Sequence, residues 1–296
     1  MIGFLSSSSP GRLARFADAF RRGLADAGYL DGSNIAVEFR WAEGHYDRLP
    51  ALAAELVRLE VDVIVAHGVP AGRAAKQATT RIPIVMAVVG DPIATGLVHN
   101  LARPEGNLTG SSFFIGEVNV KRLELLKEVF PRIVRVAALS NPDNPISNVI
   151  IPALQSAAVS LGLTLEVANT QGPTQFDGAF AAMVKGRSEA VVVTQDGEFA
   201  PSLRRIAELA AANMLPSIGS KEYAEAGGLI GYGADLAQLY RRAAAFVDRI
   251  LKGAQPADLP VERATRFELI VNGRTARTLG LTLPEAFLAR ADEVIE

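Results

Sequence analysis

Four consecutive serines, in the stretch FLSSSSPGR, place hydroxyl groups between an apolar run and a helical pattern. A tight turn favours Gly, Asn or Asp, and a helix cap needs only one serine. Hydroxyls beside the unpaired N–H groups of a helix start form a neutral cradle that suits a carboxylate or another small polar group. We therefore expect ligand contacts from Ser7, Ser8 or Ser9. The structural alternative is that Ser9 caps a helix beginning at Pro10 and that the other serines are solvated.

Similar polar loops follow other apolar runs of the chain. Ligands of open parallel sheets bind beyond the carboxyl ends of the strands, where helix N-termini point N–H groups outward. The serine loop suits a ligand carboxylate, and an aspartate at the matching strand end of the second half suits its ammonium group. The further candidate ligand residues are His67, Gly68, Val69, Gly90, Asp91, Asn141, Asn144, Gln195, Asp196 and Tyr232.

These candidates also have structural interpretations. Asp91 and Asp196 each stand beside a turn-forming residue, and either could supply the carboxylate for the ammonium. If Asp196 does, we expect its side chain to be solvated without ligand, so that its loss leaves the melting temperature nearly unchanged. His67 ends a buried strand, where a lone histidine is more often structural. Tyr232 forms an aromatic wall or packs at a hinge, and Trp41 is interpreted as a packing residue.

The motifs of several catalytic and metal sites are missing. The chain has no G-x-S-x-G elbow, P-loop or H-E-x-x-H, and no G-x-G-x-x-G follows the first strand. It has no cysteine and only three scattered histidines, which exclude thiol nucleophiles and disfavour a zinc site. Missing motifs do not exclude an enzyme, but nothing in the sequence argues for one, and a histidine-based metal site is not expected.

Apolar, β-branched runs alternate with stretches of helical period, which predicts an α/β fold with parallel sheets. The predicted strands are Ile2–Leu5, Ile35–Phe39, Val61–Ala66, Ile84–Val88, Val134–Leu139, Leu163–Ala168, Ala190–Thr194 and Phe267–Val271. The predicted helices are Leu13–Ala27, Leu49–Leu59, Ala71–Ala78, Val120–Val129, Ile150–Leu161, Phe176–Val184, Leu203–Ala212 and Leu236–Leu251.

Length and composition indicate two domains without nucleic-acid partners. The 296 residues exceed a usual single domain, and 49% of them are hydrophobic. The net charge is −2 with no basic stripe, and no apolar run reaches the roughly 18 residues of a membrane span. The first strand begins at Ile2 with no leader pattern before it, which fits a cytoplasmic protein or a mature exported form.

The two halves of the chain share a strand, polar loop, helix and proline-led strand plan. It is seen in VDVIVAHGVPAGRAAKQATTRIPIV and again in SEAVVVTQDGEFAPSLRRIAELAAANMLPSI. Gly- and Pro-rich stretches at Ala102–Phe114, Glu225–Asp235 and Lys252–Glu262 predict three crossings between two lobes. The predicted lobes are residues 1–112 with 231–261, and residues 113–230 with 262–296.

Long motifs along the chain resemble a known family. They include GFLSSSSP, GLADAGYLDGSNIAVEFRWAEG, GDPIATGLVHNLARPEGNLTG and VNGRTARTLGLTLPEAFLARADEVIE. They resemble the ABC-transporter substrate-binding proteins, the family that includes the tryptophan/tyrosine-type binding proteins, from Ile2 to Glu296. The resemblance implies a type I periplasmic-binding-protein fold, in which two Rossmann-like lobes joined by a three-crossover hinge close on a ligand in the cleft between them.

The resemblance also implies partners and location. We expect a monomer that delivers a small polar ligand to an ABC permease, with no catalysis, no cofactor and no metal. The expected ligand is an amino acid or a related carboxylate, and the studied members bind aromatic amino acids. Members are periplasmic or lipid-anchored outside the cytoplasmic membrane. The main alternative is a ligand-sensing domain of a regulatory or signalling system on the same fold. An amino-acid racemase on a two-lobe fold is disfavoured, since such enzymes use a cysteine pair and the chain has none.

Overall fold

The computed structural model describes residues 1–104 and 106–296, and of Arg12 only the backbone. The described residues fall into two units. Unit 1 comprises Met1–Phe114 and Asp235–Thr265, and unit 2 comprises Ile115–Ala234 and Arg266–Glu296. The chain therefore passes between the units three times. Glu105, part of the first predicted crossing, lies outside the described residues.

Strands and helices alternate along most of the chain, as predicted. The strands are β1 (Ile2–Ser6), β2 (Val37–Trp41), β3 (Val63–His67), β4 (Ile84–Val89), β5 (Leu108–Ser112), β6 (Arg135–Ser140), β7 (Thr164–Asn169), β8 (Ala190–Val193), β9 (Ser217–Gly219), β10 (Ile230–Ala234), β11 (Glu262–Arg263), β12 (Phe267–Asn272) and β13 (Glu293–Ile295). The helices are α1 (Pro10–Asp26), α2 (Leu49–Arg58), α3 (Gly68–Ala78), α4 (Ile115–Val129), α5 (Ser147–Ser160), α6 (Phe176–Lys185), α7 (Leu203–Ala212), α8 (Lys221–Glu225), α9 (Leu236–Leu251), α10 (Gly273–Thr278) and α11 (Glu285–Leu288).

Unit 1 is built on a six-stranded sheet in the order β11-β5-β4-β3-β1-β2. All of its strand pairs are parallel. Helices α1 and α9 pack on each other, and α2 packs on α3. Strands β1 and β4 are buried along their whole length, as expected for a parallel sheet covered by helices.

Unit 2 is built on a seven-stranded sheet in the order β13-β12-β10-β9-β8-β6-β7. Its pairs are parallel except for β10 with β12, which is antiparallel. Helix α4 packs on α5, and α6 packs on α7. The prolines that the sequence placed at strand starts, Pro83 and Pro216, directly precede β4 and β9, where a missing N–H does least harm.

Two stretches interpreted as irregular crossings contain buried strands. The first holds β5, whose sequence LTGSS has no apolar run, although all five residues are buried. Gly110 in this strand has φ +131°, and a Cβ there would lie 2.2 Å from the carbonyl oxygen of Met86. The backbones of β4 and β5 therefore approach at a distance that only glycine permits.

The second such stretch holds β10, which pairs with β9 and β12 of the unit 2 sheet. Residues 231–234, placed in lobe 1 from the sequence, therefore lie in unit 2. Tyr232 is also inside a strand rather than in the irregular crossing predicted for Glu225–Asp235. The error has a physical cause, because alternating glycines suggest a turn unless the strands on either side are known.

Candidate functional site

The predicted ligand residues follow neighbouring strands in each sheet. In unit 1 the loops after β1, β3 and β4 are adjacent, because these strands pair with one another. In unit 2 the loops after β6 and β8 are adjacent for the same reason. Each sheet thus gathers polar residues at the carboxyl ends of its parallel strands, where this type of fold binds ligands.

The serine loop is fixed by backbone hydrogen bonds and by the Ser6 hydroxyl, which accepts from the Ser8 N–H at 3.0 Å. The carbonyl oxygens of Ser7 and Ser8 accept from the N–H groups of Gly44 (2.7 Å) and Glu43 (3.1 Å). Ser7 is 4% and Ser8 5% exposed, and their hydroxyl oxygens make no hydrogen bond within the described part of the chain. Ser9 is the N-cap residue of α1, yet its hydroxyl makes no capping bond. The hydroxyl groups of Ser7 and Ser8 can therefore donate to a ligand.

The second loop of unit 1 begins at His67, the last residue of β3. Its Nδ1 lies 2.5 Å from the hydroxyl of Tyr240, and the two rings are stacked. Burial lowers the pKa of His67 to about 4, so the imidazole is neutral near pH 7. A Cβ at Gly68, where α3 begins, would lie 3.5 Å from Ser7 Oγ, so the serine loop borders this helix start. Val69 is buried.

The third loop of unit 1 is held by its own turn. Asp91 Oδ1 accepts from the backbone N–H groups of Ile93 (3.0 Å) and Ala94 (2.9 Å). The carbonyl oxygen of Gly90 accepts from the hydroxyl of Ser112 at 3.0 Å. This is the turn-forming arrangement that the structural interpretation of Asp91 describes.

In unit 2, Asp196 joins the two loops that follow β6 and β8. Its carboxylate accepts from Asn141 Nδ2 (3.2 Å), Asn144 Nδ2 (2.8 Å) and the backbone N–H of Glu198 (2.8 Å). Asn141 is 1% and Asn144 5% exposed. The expectation that this carboxylate is solvated without ligand is therefore wrong. Its position is set by two buried amides, and its loss would remove an acceptor from each of them.

Sequence reasoning missed Arg122, which is fully buried on α4. Its Nε donates to the carbonyl oxygen of Tyr232 at 2.8 Å, and its Nη2 donates to Gln195 Oε1 at 3.1 Å. Two predicted ligand residues are thus tied to one guanidinium. The helical period of α4 could have flagged an arginine on its buried face, but an arginine in a helix is usually interpreted as solvated.

The Tyr232 ring is half-buried and stacks on Phe267, with ring centres 5.9 Å apart and planes 15° apart. Burial raises the pKa of its hydroxyl, so this group stays protonated at neutral pH. Trp41 stacks on Phe39 and lies against Phe4, as expected of a packing residue.

Within residues 1–104 and 106–296, no group of three or more His, Asp or Glu side chains is placed to hold a metal ion. Among the same residues, no helix has both the length and the apolar character needed to cross a membrane.

Comparison with known proteins gives a consistent result. Residues 6–295 match the family model of the ABC transporter substrate binding proteins. A tyrosine-binding protein from Clostridioides difficile (strain R20291) is 28% identical over 263 residues, which are 88% of this chain and 75% of that protein. An ABC domain from Streptococcus pneumonia, solved in complex with L-Trp, is 28% identical, covers 99% of both chains and has a TM-score of 0.92.

A more distant likeness bears on the fold alone. The leucine-binding protein LivK from Thermotoga maritima shares 11% identity over 85% of this chain and 82% of its own, with a TM-score of 0.67. The two α/β units with their largely parallel sheets define a type I periplasmic binding protein, which confirms the predicted fold class. This chain belongs to the ABC transporter substrate-binding protein family. The family supports solute binding for transport, and no finding favours the sensing alternative.

Proposed function

We propose that this protein binds an aromatic amino acid outside the cytoplasmic membrane, in periplasmic or lipid-anchored form, and delivers it to an ABC permease. The observation that carries the proposal is the similarity, along 99% of both chains, to the ABC domain that holds L-Trp. The similarity to a tyrosine-binding protein supports the same ligand class. The proposal includes a monomer that acts without catalysis, cofactor or nucleic acid.

The ligand's carboxylate is assigned to the serine loop. The hydroxyls of Ser7 and Ser8 are held by a bonded backbone, lie beside the start of α3, and have no partner among the described residues. Such groups donate to a carboxylate without first breaking a bond within the protein. Helix N-termini nearby favour negative charge. Ser9 N-caps α1 and adds a third hydroxyl.

The ligand's ammonium group is assigned to Asp196. Three N–H groups position this carboxylate, and a carboxylate is the side-chain group that suits an ammonium ion. Asn141 and Asn144 are positioning residues in this scheme, because each also accepts a backbone N–H of its own loop. Asp91, whose Oδ1 accepts two backbone N–H groups of its own turn, is the alternative partner for the ammonium group.

A thermal-shift screen tests the ligand class. L-tryptophan, L-tyrosine, organic acids, pentoses and hexoses are compared, since a ligand at about 100 times its dissociation constant stabilises by about 2.7 kcal/mol. The proposal expects a higher melting temperature with L-tryptophan or L-tyrosine. Shifts with sugars and none with amino acids would overturn it. Hinge closure stays a prediction, which small-angle scattering with and without the ligand tests.

A further inference from the structure

Beyond the end of β9, at the carboxyl edge of the unit 2 sheet, strand pairing leaves a gap that the Arg122 side chain crosses. Strand β9 has only three residues and pairs with β10 only as far as Gly219 opposite Gly231. Strand β10 continues past that pair, and Gln195 follows β8 on the other side. The Arg122 guanidinium spans the gap and donates to Tyr232 on one side and to Gln195 on the other.

Arg122 is a buried cation whose hydrogen-bond acceptors are all neutral. They are the Tyr232 carbonyl, Gln195 Oε1 and, at 3.3 Å, Asn119 Oδ1. No carboxylate of the described residues forms an ion pair with it. Burial lowers its pKa to about 9, with Glu222 opposing that change, so the group remains charged at pH 7. A buried charge that makes no close ion pair is costly, and an anionic ligand group nearby would offset part of that cost.

The guanidinium also decides which way the Gln195 amide faces. Arginine only donates hydrogen bonds, so the Gln195 oxygen must face the guanidinium. The Nε2–H groups of this half-buried side chain then face away from Arg122 and can donate to another acceptor. A fixed N–H donor backed by positive charge suits an anionic oxygen. Asp196 is the next residue along the chain. Adjacent sites for a carboxylate and an ammonium match an α-amino acid, whose two charged groups share one carbon.

We infer that Arg122 is a positioning residue that makes Gln195 a further donor to the same carboxylate that the serine hydroxyls receive, so that the protein prefers amino acids with a free carboxylate over their amides. This inference rests on the proposed function and names a specificity determinant of the same site. Arg122 acts through Gln195 and Tyr232, which it orients.

The test compares L-tryptophan with L-tryptophanamide by calorimetric titration. Gln195→Glu keeps the size of the side chain and gains an ion pair with Arg122, but replaces the outward donor with a negatively charged acceptor. L-tryptophan should bind at least about tenfold more weakly, and the amide, which can donate, should lose less. The wild-type preference for the acid should therefore fall. Arg205→Gln, at an exposed pair with Asp177, is the control and should keep the wild-type preference.

Arg122→Lys separates positioning from scaffold support, because lysine keeps the charge and loses the planar fork. We expect a weaker preference for the acid together with a lower melting temperature. An unchanged acid-to-amide ratio in both Arg122→Lys and Gln195→Glu would overturn the inference while leaving the proposed function intact. Wild-type protein that binds neither L-tryptophan nor L-tyrosine would overturn the proposed function, and the inference with it.

Discussion

Replacing Asp196 should affect both folding and ligand binding, and two substitutions separate the effects. Asp196→Ala removes an acceptor from two buried amides, on Asn141 and Asn144, and from the Glu198 N–H. Asp196→Asn keeps one oxygen at nearly the same volume but removes the charge. The alanine variant therefore reports mainly on the loop network, and the asparagine variant mainly on the charge offered to a ligand.

The loss of unfolding free energy in the Asp196 variants can be worked out from these three hydrogen bonds. Leaving a buried donor without an acceptor costs about 1–3 kcal/mol, and the half-buried site lets water offset part of it. We expect Asp196→Ala to lose about 2–3 kcal/mol of unfolding free energy, which lowers the melting temperature by roughly 5–10 °C. Asp196→Asn should lose about 1 kcal/mol, because one oxygen still accepts. Both should weaken binding of L-tryptophan at least tenfold, roughly the lower limit for breaking a close charge pair.

Calorimetric unfolding and titration with L-tryptophan measure the two effects on the same samples. Asp143→Asn is the matched control, because the carboxylate of this exposed aspartate of the neighbouring loop accepts from Gln171, and the substitution leaves the backbone N–H that Asn141 accepts in place. It should change neither property. An Asp196→Ala variant that melts with the wild type would refute the structural argument. Wild-type affinity in Asp196→Asn, with lost affinity in Asp91→Ala, would move the ammonium contact to Asp91.

Three further predictions concern unit 1. The pKa of His67 lies near 4 instead of 6.5, so the unfolded chain takes up a proton before the folded protein does as the pH falls. The free energy of unfolding should therefore decline from pH 6.5 to pH 4 by up to about 1.4 kcal/mol per pH unit. Denaturation of His67→Gln, measured over the same pH range, should show a flatter profile. Ser8→Ala should weaken L-tryptophan binding less than Asp196→Asn and change the melting temperature little, because this hydroxyl bonds none of the described residues. Gly110→Ala should lower the free energy of unfolding, measured by chemical denaturation, by more than about 3 kcal/mol, because its Cβ would overlap the backbone of Met86. The control Gly178→Ala, on an exposed face of α6 in unit 2, should raise it by up to about 1 kcal/mol.

The fold was predictable where the pattern is local. Helices α7 and α9 begin and end at the predicted residues, because their apolar positions repeat with the helical period. Strand β5 was not predictable in this way. It is a strand because β4 and β11 pair with its backbone, and its serines and glycine carry no apolar pattern. Strand β10 shows the same limit, since its glycines permit close packing against α8 instead of a turn.

The candidate site, too, could be predicted from the sequence only in part. Asp91 and Asp196 have similar sequence surroundings, yet one bonds its own turn and the other bonds amides from a different loop. That difference depends on which strands are neighbours, and so it could not be seen along the chain. The role of Arg122 was still harder to predict from the sequence, because the two residues that it joins lie on either side of the short strand β9. On one loop, a carboxylate positioned by side chains suits a cationic group, and the adjacent glutamine, positioned by a buried cation, suits an anionic group. The sequence predicted where that loop lies, and the tertiary hydrogen bonds determine what it offers a ligand.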